Sequence, residues 1–247
     1  MVYEILLRLI ILKLDKNSIL EFFFDFNFKN TKIASIYFLI IRNMHCSKVE
    51  ELLAKMQENN QMFSEEQVEL LKNITWAQHP KITLVTCSDS RVDMNYFKMD
   101  SVDKVFTIRN IGNVILTSEG SVDYWVEHLN TPILFILAHT NCGAVNAAIN
   151  DYHHCTPDIK RELDHLMPAL VNLESTDAHD KWVEWVEKNL DLQLRIAEDK
   201  FKSRVESGQL TIIWAILDID NSYKEGLWKI HIKKIIWNSE CDFDIEY

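Results

Sequence analysis

Three short apolar runs in the middle of the chain predict buried β-strands. They span residues 81–87 (KITLVTC), 103–110 (DKVFTIRN) and 132–139 (PILFILAH). Each is rich in β-branched side chains and almost continuously apolar, which is typical of strands covered on both faces. Residues 117–130 and the stretch that begins at Gly143 have helical patterns instead. Strands that alternate with helices predict right-handed crossovers and a parallel sheet.

The last third of the chain adds a long helix and a hairpin to this scheme. Residues 177–208 carry apolar side chains at helical spacing and end at Gly208, a residue type that commonly closes helices. Residues 209–219 and 227–237 are apolar runs joined by the turn 220–226, which predicts paired antiparallel strands. We therefore expect an α/β fold with a mostly parallel central sheet, flanked by helices and carrying a C-terminal antiparallel strand.

The N-terminal part of the chain has a different pattern. Residues 47–76 show apolar positions at helical spacing with a break near Asn59 and Asn60, which predicts two helices, the second starting at Ser64. Residues 1–43 are rich in Ile, Leu, Phe, Asn and Lys. Charges interrupt them too often for the roughly 18 uninterrupted apolar residues of a membrane span. They also lack the basic, apolar and small-residue order of a signal peptide.

These patterns divide the chain into an N-terminal extension, residues 1–43, and one α/β domain, residues 44–247. We interpret the extension as poorly ordered or as absent from the working protein. The alternative is an added helix or strand that covers the outside of the domain. Neither an internal repeat nor a low-complexity linker divides the sequence from Met44 onward.

Composition and charge narrow the class of partner. The chain has 247 residues, 47% of them apolar, which is enough to bury a substantial core. A formal net charge of -11 would repel a polyanion, so we expect no nucleic-acid partner, and we expect no membrane partner either. Five cysteines are an odd number in a chain too long to need disulfides, which favours a reducing compartment. We expect the cytoplasm, with the mitochondrion as the alternative.

The ends of two predicted strands carry residues that bind metals. Cys87 ends the first strand, and His139 with Cys142 follows the third. Because the carboxyl ends of parallel strands share one edge of a sheet, these side chains are expected to converge there. Two thiolates and an imidazole suit zinc, and three protein ligands leave a fourth position open for catalysis. Asp89 could then accept a proton from bound water, while Arg91 holds that carboxylate by two parallel hydrogen bonds.

The same residues carry a family resemblance. The stretches CSDSRV (87–92), RNIGN (109–113) and HTNCGAVNAA (139–148) resemble the β-class carbonic anhydrases. The resemblance covers residues 78–149, and extends more loosely to NLDLQ (189–193) and to the terminal segment 214–232. It implies an enzyme of the lyase class that reversibly hydrates carbon dioxide to bicarbonate and a proton by means of zinc-bound hydroxide.

The resemblance also implies roles for particular residues. One Zn2+ per subunit would be held by Cys87, His139 and Cys142, with Asp89 and Arg91 as the catalytic dyad beside it. The implied assembly is a homodimer or a higher homo-oligomer, with active sites at the subunit interface.

Three further residues are expected to contact carbon dioxide or bicarbonate. The resemblance implies that Gln78 reaches the substrate from the partner subunit. Val92 offers the apolar neighbourhood that suits carbon dioxide, and a backbone N–H near Gly143 could hold the anionic product. His128, His153, His154 or buffer could export the proton.

Four positions depart from the family pattern. Ala138 stands where the family usually has glycine before the zinc-binding histidine, and Ile111 replaces an alanine, so each adds bulk close to the site. Members with a regulatory bicarbonate pocket carry a tryptophan and a tyrosine where this chain has Leu84 and Leu217. We therefore expect no regulation of that kind.

Several alternatives remain open at the level of sequence. The same fold and zinc could hydrolyse CS2 or COS, or the chain could be a noncatalytic zinc-binding scaffold, although such a scaffold has no use for the dyad. Asp89 could serve only as a helix N-cap. Arg109 and Asn110 are interpreted as structural. The cluster 153–155 could bind a second metal, but a solvated loop or helix end is the preferred interpretation.

Overall fold

The structure is a computed structural model that describes residues 31–98, 101–150, 152–170 and 178–238, with only the backbone for 31–47 and 178–181. The chain forms two compact units, the first ending at Asn73 and the second beginning at Ile74. Among the described residues, no helix has the length and the apolar run needed to span a bilayer.

The first unit contains α1, Thr31–Glu66, and all but the last residue of α2, Val68–Ile74. The predicted break at Asn59 and Asn60 is wrong, because α1 continues through both residues. In a helix, Asn is less favourable than Ala by at most about 0.7 kcal/mol per residue, and the hydrogen bonds of the neighbouring turns offset this cost. Ser64 does not start a helix either, since its hydroxyl donates back to the Asn60 carbonyl at 2.9 Å inside α1.

The proposed boundary between extension and domain stays a prediction. Helix α1 is continuous through Met44, the position at which we placed the start of the domain. Residues 1–30, which include most of the proposed extension, lie outside the described residues.

The second unit is built on a five-stranded sheet, which confirms the predicted fold class. The strands are β1 Ile82–Cys87, β2 Val105–Asn110, β3 Ile133–His139, β4 Thr211–Asp218 and β5 Lys229–Ile236. Their order is β2-β1-β3-β4-β5. The first four run parallel, whereas β5 pairs antiparallel with β4 as the predicted hairpin requires. The carboxyl ends of β1, β2, β3 and β4 therefore lie along one edge.

The helices of the crossovers are shorter and more varied than the sequence predicts. In place of the helix predicted over 117–130, the structure has a 3-10 turn Leu116–Ser118, then α3 Glu119–Asp123 and a π-helical turn Tyr124–His128. After β3 come α4 Gly143–Ile149 and α5 Pro157–Asp164. A hydrophobic period does not distinguish these hydrogen-bond patterns, because pieces of 3 and 5 residues are too short to separate a period of 3.0 from one of 3.6.

The single helix predicted over 177–208 is wrong in one respect. The structure divides it into α6 Ala178–Lys200 and α7 Lys202–Glu206 at Phe201. Phe201 is buried in the core, so its apolar character continued the helical pattern and gave no sign of a break. Gly208 adopts a left-handed φ of 74° just after α7, as a helix-terminating glycine should.

The core lies on both faces of the sheet. The larger cluster joins the sheet to α6, which packs on β3 and β4. The smaller cluster on the sheet consists of Leu84, Val92, Leu137, Ala215 and Leu217. Both faces of β1 and β3 are therefore covered, which explains why these strands are apolar at successive positions.

Candidate metal centre

Three potential metal ligands meet at the carboxyl edge of the sheet. Cys87 is the last residue of β1, His139 is the last residue of the neighbouring β3, and Cys142 directly precedes α4. Their ligand atoms lie within 4.8 Å of one another, and all three residues are buried. Within the part of the chain that the structure describes, no other group of His, Cys, Asp and Glu side chains could hold a metal ion. The expected convergence is therefore present.

The spacing of the two sulfurs suits zinc. The Sγ atoms of Cys87 and Cys142 are 3.9 Å apart, far longer than a disulfide bond of about 2.05 Å. Two sulfurs bound to one tetrahedral zinc at about 2.3 Å each would stand about 3.8 Å apart. Their hydrogen bond lowers the pKa of Cys87 and, together with burial, raises the pKa of Cys142. A cation between the sulfurs would let both exist as thiolates.

His139 presents an unpaired nitrogen to the same place. Its Nδ1 lies 2.9 Å from the carbonyl oxygen of Thr140, and a carbonyl can only accept, so the proton resides on Nδ1. In the neutral tautomer that carries this proton, Nε2 has the lone pair, and it is buried with no hydrogen-bond partner. Leaving such an acceptor unpaired in the interior is unfavourable unless it binds something else. Two sulfurs and this free imidazole nitrogen fit zinc.

Asp89 and Arg91 form a bidentate pair beside the three ligands. Arg91 donates from Nε to Oδ1 of Asp89 at 3.0 Å and from Nη2 to Oδ2 at 2.8 Å. These hydrogen bonds hold the pKa of Asp89 well below its usual range and raise the pKa of Arg91. Oδ2 of Asp89 lies 3.9 Å from Nε2 of His139. An ionised acceptor is thus fixed next to the ligand cluster.

The alternative that Asp89 caps a helix does not describe the structure, because no helix begins there. Asp89 instead accepts the backbone N–H of Arg91 at 2.9 Å, which closes a local turn. The residue that caps the following 3-10 turn, Met94–Phe97, is Asp93. The side chain of Arg91 also donates to the carbonyl of Asn141 at 3.0 Å, so it joins the two loops that carry the candidate ligands.

Arg109 supports the loop between Cys87 and Val92. Its guanidinium donates to three carbonyl oxygens, those of Cys87 at 3.2 Å, Asp89 at 2.8 Å and Val92 at 2.7 Å. The side chain of Asn110 donates to the carbonyl of Val114 and accepts its N–H at 2.6 and 2.7 Å. Both residues act as structural supports, as predicted.

Two further supports were not recognised as such from the sequence. Asn189 and Gln193 lie one turn apart on α6, are buried, and hydrogen-bond each other at 3.0 Å. Asn189 donates to the carbonyl of Gly112, and Gln193 accepts the N–H of Ile115, each at 2.9 Å. They satisfy the buried backbone of the loop after β2. Their signal is two polar residues on the helix face that the hydrophobic pattern marks as buried.

The three predicted substrate residues, unlike the candidate ligands, are not all buried. Gln78 is exposed and precedes β1, and Gly143 is the exposed first residue of α4. Val92 is buried in the smaller core cluster with Leu84 and Leu137. Contact of any of the three with a substrate stays a prediction.

The departures from the family pattern also have positions in the structure. Ala138 is buried, whereas Ile111 is 37% exposed. Leu84 and Leu217 both lie in the smaller core cluster. The cavity beside Leu84, which Arg109 also lines, encloses about 10 Å3. That is the volume of about one water probe, too little for bicarbonate.

The histidine-rich segment 153–155 forms a turn between α4 and α5. It contributes to none of the metal-capable clusters found among the described residues, and Cys155 is a partly buried free thiol. This agrees with the interpretation of the segment as a loop.

Comparison with known proteins agrees with the resemblance found in the sequence. The family model described as carbonic anhydrase matches residues 82–223, which make up more than half of the chain and include the three candidate metal ligands and the Asp89–Arg91 pair. A carbonic anhydrase of Synechococcus elongatus is 27% identical over 168 residues, which cover 62% of each chain. The match therefore spans less than two thirds of that relative's length.

Solved structures show a similar fold. The β-carbonic anhydrase CcaA matches with a TM-score of 0.62 and 25% identity, covering 71% of this chain and 92% of that one. The β-carbonic anhydrase CafA of Aspergillus fumigatus matches with a TM-score of 0.60 and 28% identity, covering 75% of this chain and 90% of that one.

Proposed function

The chain belongs to the β-class carbonic anhydrase family, and from this premise we propose that it is a zinc lyase that reversibly hydrates carbon dioxide to bicarbonate and a proton. The observation that carries the proposal is the convergence of Cys87, His139 and Cys142 next to the Asp89–Arg91 pair. These three ligands would hold one Zn2+ per subunit. A purely structural site would not require an ionised carboxylate held beside it.

When bound, zinc supplies Lewis acidity that lowers the pKa of a coordinated water to about 7 and so provides a nucleophile for carbon dioxide at neutral pH. The two cysteines bring negative charge to the site, and His139 brings a neutral donor whose tautomer is fixed by the Thr140 carbonyl. Burial of all three keeps competing water away from the ligands.

Asp89 orients the reacting water in this proposal. Because its pKa is lowered, it remains ionised at neutral pH and accepts a hydrogen bond rather than keeping a proton. Arg91 engages both carboxylate oxygens, which holds Asp89 beside the ligands and restrains it from taking a place among them. Export of the proton through His128, His153, His154 or buffer stays a prediction.

Substrate contacts and assembly belong to the same proposal. Gln78, Val92 and Gly143 are expected to contact carbon dioxide or bicarbonate, Gln78 from the partner subunit of a homodimer or higher homo-oligomer. The expected reducing compartment, the cytoplasm or the mitochondrion, would keep Cys87 and Cys142 available as ligands.

Two substitutions test the proposal. Cys87→Ser and His139→Ala should lose zinc and carbon dioxide hydration together, measured as metal content per chain and by stopped-flow assay. The matched control is Cys155→Ser, which removes a partly buried thiol outside the cluster and should keep both properties. Full hydration activity in either ligand variant would refute the site. Activity on COS or CS2 in place of carbon dioxide would keep the site and change the substrate.

A further inference from the structure

A buried hydrogen-bond chain extends from His139 to the end of β4. The Nδ1–H of His139 donates to the carbonyl of Thr140. The hydroxyl of Thr140 donates to Oδ1 of Asp218 at 3.2 Å and accepts the N–H of Ile219 at 2.9 Å. Thr140 and Asp218 are 1% and 0% exposed, so bulk water does not compete for either side chain. These hydrogen bonds connect the candidate ligand His139, at the end of β3, to the end of the neighbouring strand β4.

Thr140 is fixed by three hydrogen bonds to β4 and the residue after it. Besides the two made by its hydroxyl, its backbone N–H donates to the carbonyl of Leu217 at 2.9 Å. The next residue, Asn141, adopts a left-handed φ of 53°, so the backbone turns sharply immediately after Thr140. The direction of the Thr140 carbonyl, and with it the plane of the His139 ring, therefore depends on how Thr140 is anchored.

Asp218 is held in turn by the hairpin that follows it. Its Oδ1 accepts the N–H of Ser222 at 2.8 Å, and its Oδ2 accepts the N–H of Tyr223 at 2.9 Å. A carboxylate satisfied by backbone donors in the interior is a rigid acceptor with few alternative positions. It can thus serve as a fixed point for the Thr140 hydroxyl.

We propose that Thr140 and Asp218 are positioning residues that orient the metal ligand His139 through the Thr140 carbonyl. This inference rests on the proposed function, since it presumes that zinc binds Nε2 of His139. Groups that hydrogen-bond the non-ligating nitrogen of a metal-bound histidine fix its tautomer and orientation, and their loss typically weakens metal binding roughly 10- to 100-fold. Here the direct partner of His139 Nδ1 is the backbone carbonyl of Thr140. The side chains of Thr140 and Asp218, which anchor that residue, therefore take over the orienting role.

The test measures zinc release from the full chain into an excess of chelator. Thr140→Val keeps the shape of the side chain and its backbone hydrogen bond to β4 but removes both hydroxyl contacts. We expect zinc to dissociate roughly 10- to 100-fold faster than from the parent. Thr140→Ser, which restores the hydroxyl, should return the rate to within about threefold of the parent. The visible spectrum of the cobalt(II)-loaded chain should change in Thr140→Val and not in Thr140→Ser.

The matched control is Thr83→Val. Thr83 is also fully buried, lies near the amino end of β1, and shares a hydrogen bond of 2.7 Å with Thr131. Its loss should lower the free energy of unfolding without changing zinc release or the cobalt spectrum. If Thr140→Val matches Thr83→Val in both readouts, the positioning role is refuted.

A second variant, Asp218→Asn, tests the other end of the Thr140–Asp218 contact. Because Asp218 acts on His139 only through the Thr140 hydroxyl in this inference, the double variant should release zinc no faster than Thr140→Val alone. Multiplicative effects would overturn the inference. Metal release does not require turnover, so this inference can hold in a chain that binds zinc but does not hydrate carbon dioxide. A parent chain that binds no zinc would refute both proposals.

Discussion

Replacing Arg91 by lysine isolates the orienting role of the dyad from its charge. The guanidinium makes two hydrogen bonds to Asp89, at 3.0 and 2.8 Å, and a third to the Asn141 carbonyl at 3.0 Å. An ammonium keeps the positive charge but lacks the planar fork, so it can satisfy only part of this set. We therefore expect Asp89 to stay ionised in Arg91→Lys but to lose its fixed direction.

The size of the effect follows from these contacts and their exposure. Each hydrogen bond to a charged group contributes about 1.5–3 kcal/mol where it is shielded from water. The Arg91 side chain is 42% exposed, so solvent competes for the same groups, and we take about 1–1.5 kcal/mol for the loss of orientation. That corresponds to a decrease in kcat/KM of roughly tenfold.

The assay is stopped-flow hydration of carbon dioxide, with zinc content measured on the same samples. Arg91→Lys should keep its zinc, because Arg91 is not a ligand. The control is Arg161→Lys, which alters an exposed pair with Asp158 on α5 and should leave kcat/KM unchanged. The reasoning is refuted if Arg91→Lys stays within about twofold of the parent at full zinc loading. Loss of zinc from this variant would equally contradict a purely orienting role.

Three further predictions concern stability, each measured by urea unfolding. Gln193→Leu leaves the backbone N–H of Ile115 and the amide oxygen of Asn189 unpaired, and should lower the free energy of unfolding by about 2–4 kcal/mol. A loss below about 0.5 kcal/mol would contradict the supporting role of Gln193. Gly112→Ala should lower the free energy of unfolding by about 1–2 kcal/mol, because φ is 79° and an added Cβ would lie 3.1 Å from Leu166. The control is Gly143→Ala, whose added Cβ meets no such contact, and equal losses in the two variants would contradict this reasoning. Because the folded pKa of Asp89 is lowered, its ionised form stabilises the fold above the ordinary pKa of about 3.9 and this contribution is lost as pH falls through the folded value. The stability difference between the parent and Asp89→Asn should thus be constant from about pH 5 to 8 and shrink below about pH 4, and a change through neutral pH would refute this assignment.

The strands and the ligand cluster could be predicted because they depend on short segments. A run such as 132–139 is almost continuously apolar because both faces of β3 are covered, and its length separates it from a helix. Parallel strands place Cys87 and His139 at the same edge of the sheet, and the direct pairing of β1 with β3, which the sequence does not show, brings their ligand atoms within 4.8 Å. The order of the strands is a property of long-range pairing, for which these segments carry no local signal.

The helix boundaries could not be predicted with the same success, because the free energies that favour continuing or ending a helix at a given residue differ only slightly. Asn59 and Asn60 are weak helix formers, but their cost is below that of interrupting the hydrogen bonds of α1. At Phe201 the opposite occurs, since a good core residue stands where the helix breaks. Neither position has a glycine or proline that would have marked the outcome.

Four other groups that hold the site in place, unlike Arg109 and Asn110, were missed for a physical reason. Asn189, Gln193, Thr140 and Asp218 are polar residues within or next to apolar elements. Their partners are backbone groups and side chains from distant segments, and such pairings appear only after folding. A polar side chain at a position that the pattern marks as buried is nevertheless a usable signal, because it must find a hydrogen-bond partner there.

The central claim is that this chain hydrates carbon dioxide with one zinc held by Cys87, His139 and Cys142. The most direct measurement is stopped-flow hydration by the purified chain before chelation, after removal of the metal, and after zinc is returned. We predict one zinc per chain, with activity that is lost on chelation and regained with zinc. Undiminished hydration by the metal-free chain, or a fully zinc-loaded chain that hydrates carbon dioxide no faster than buffer, would contradict it.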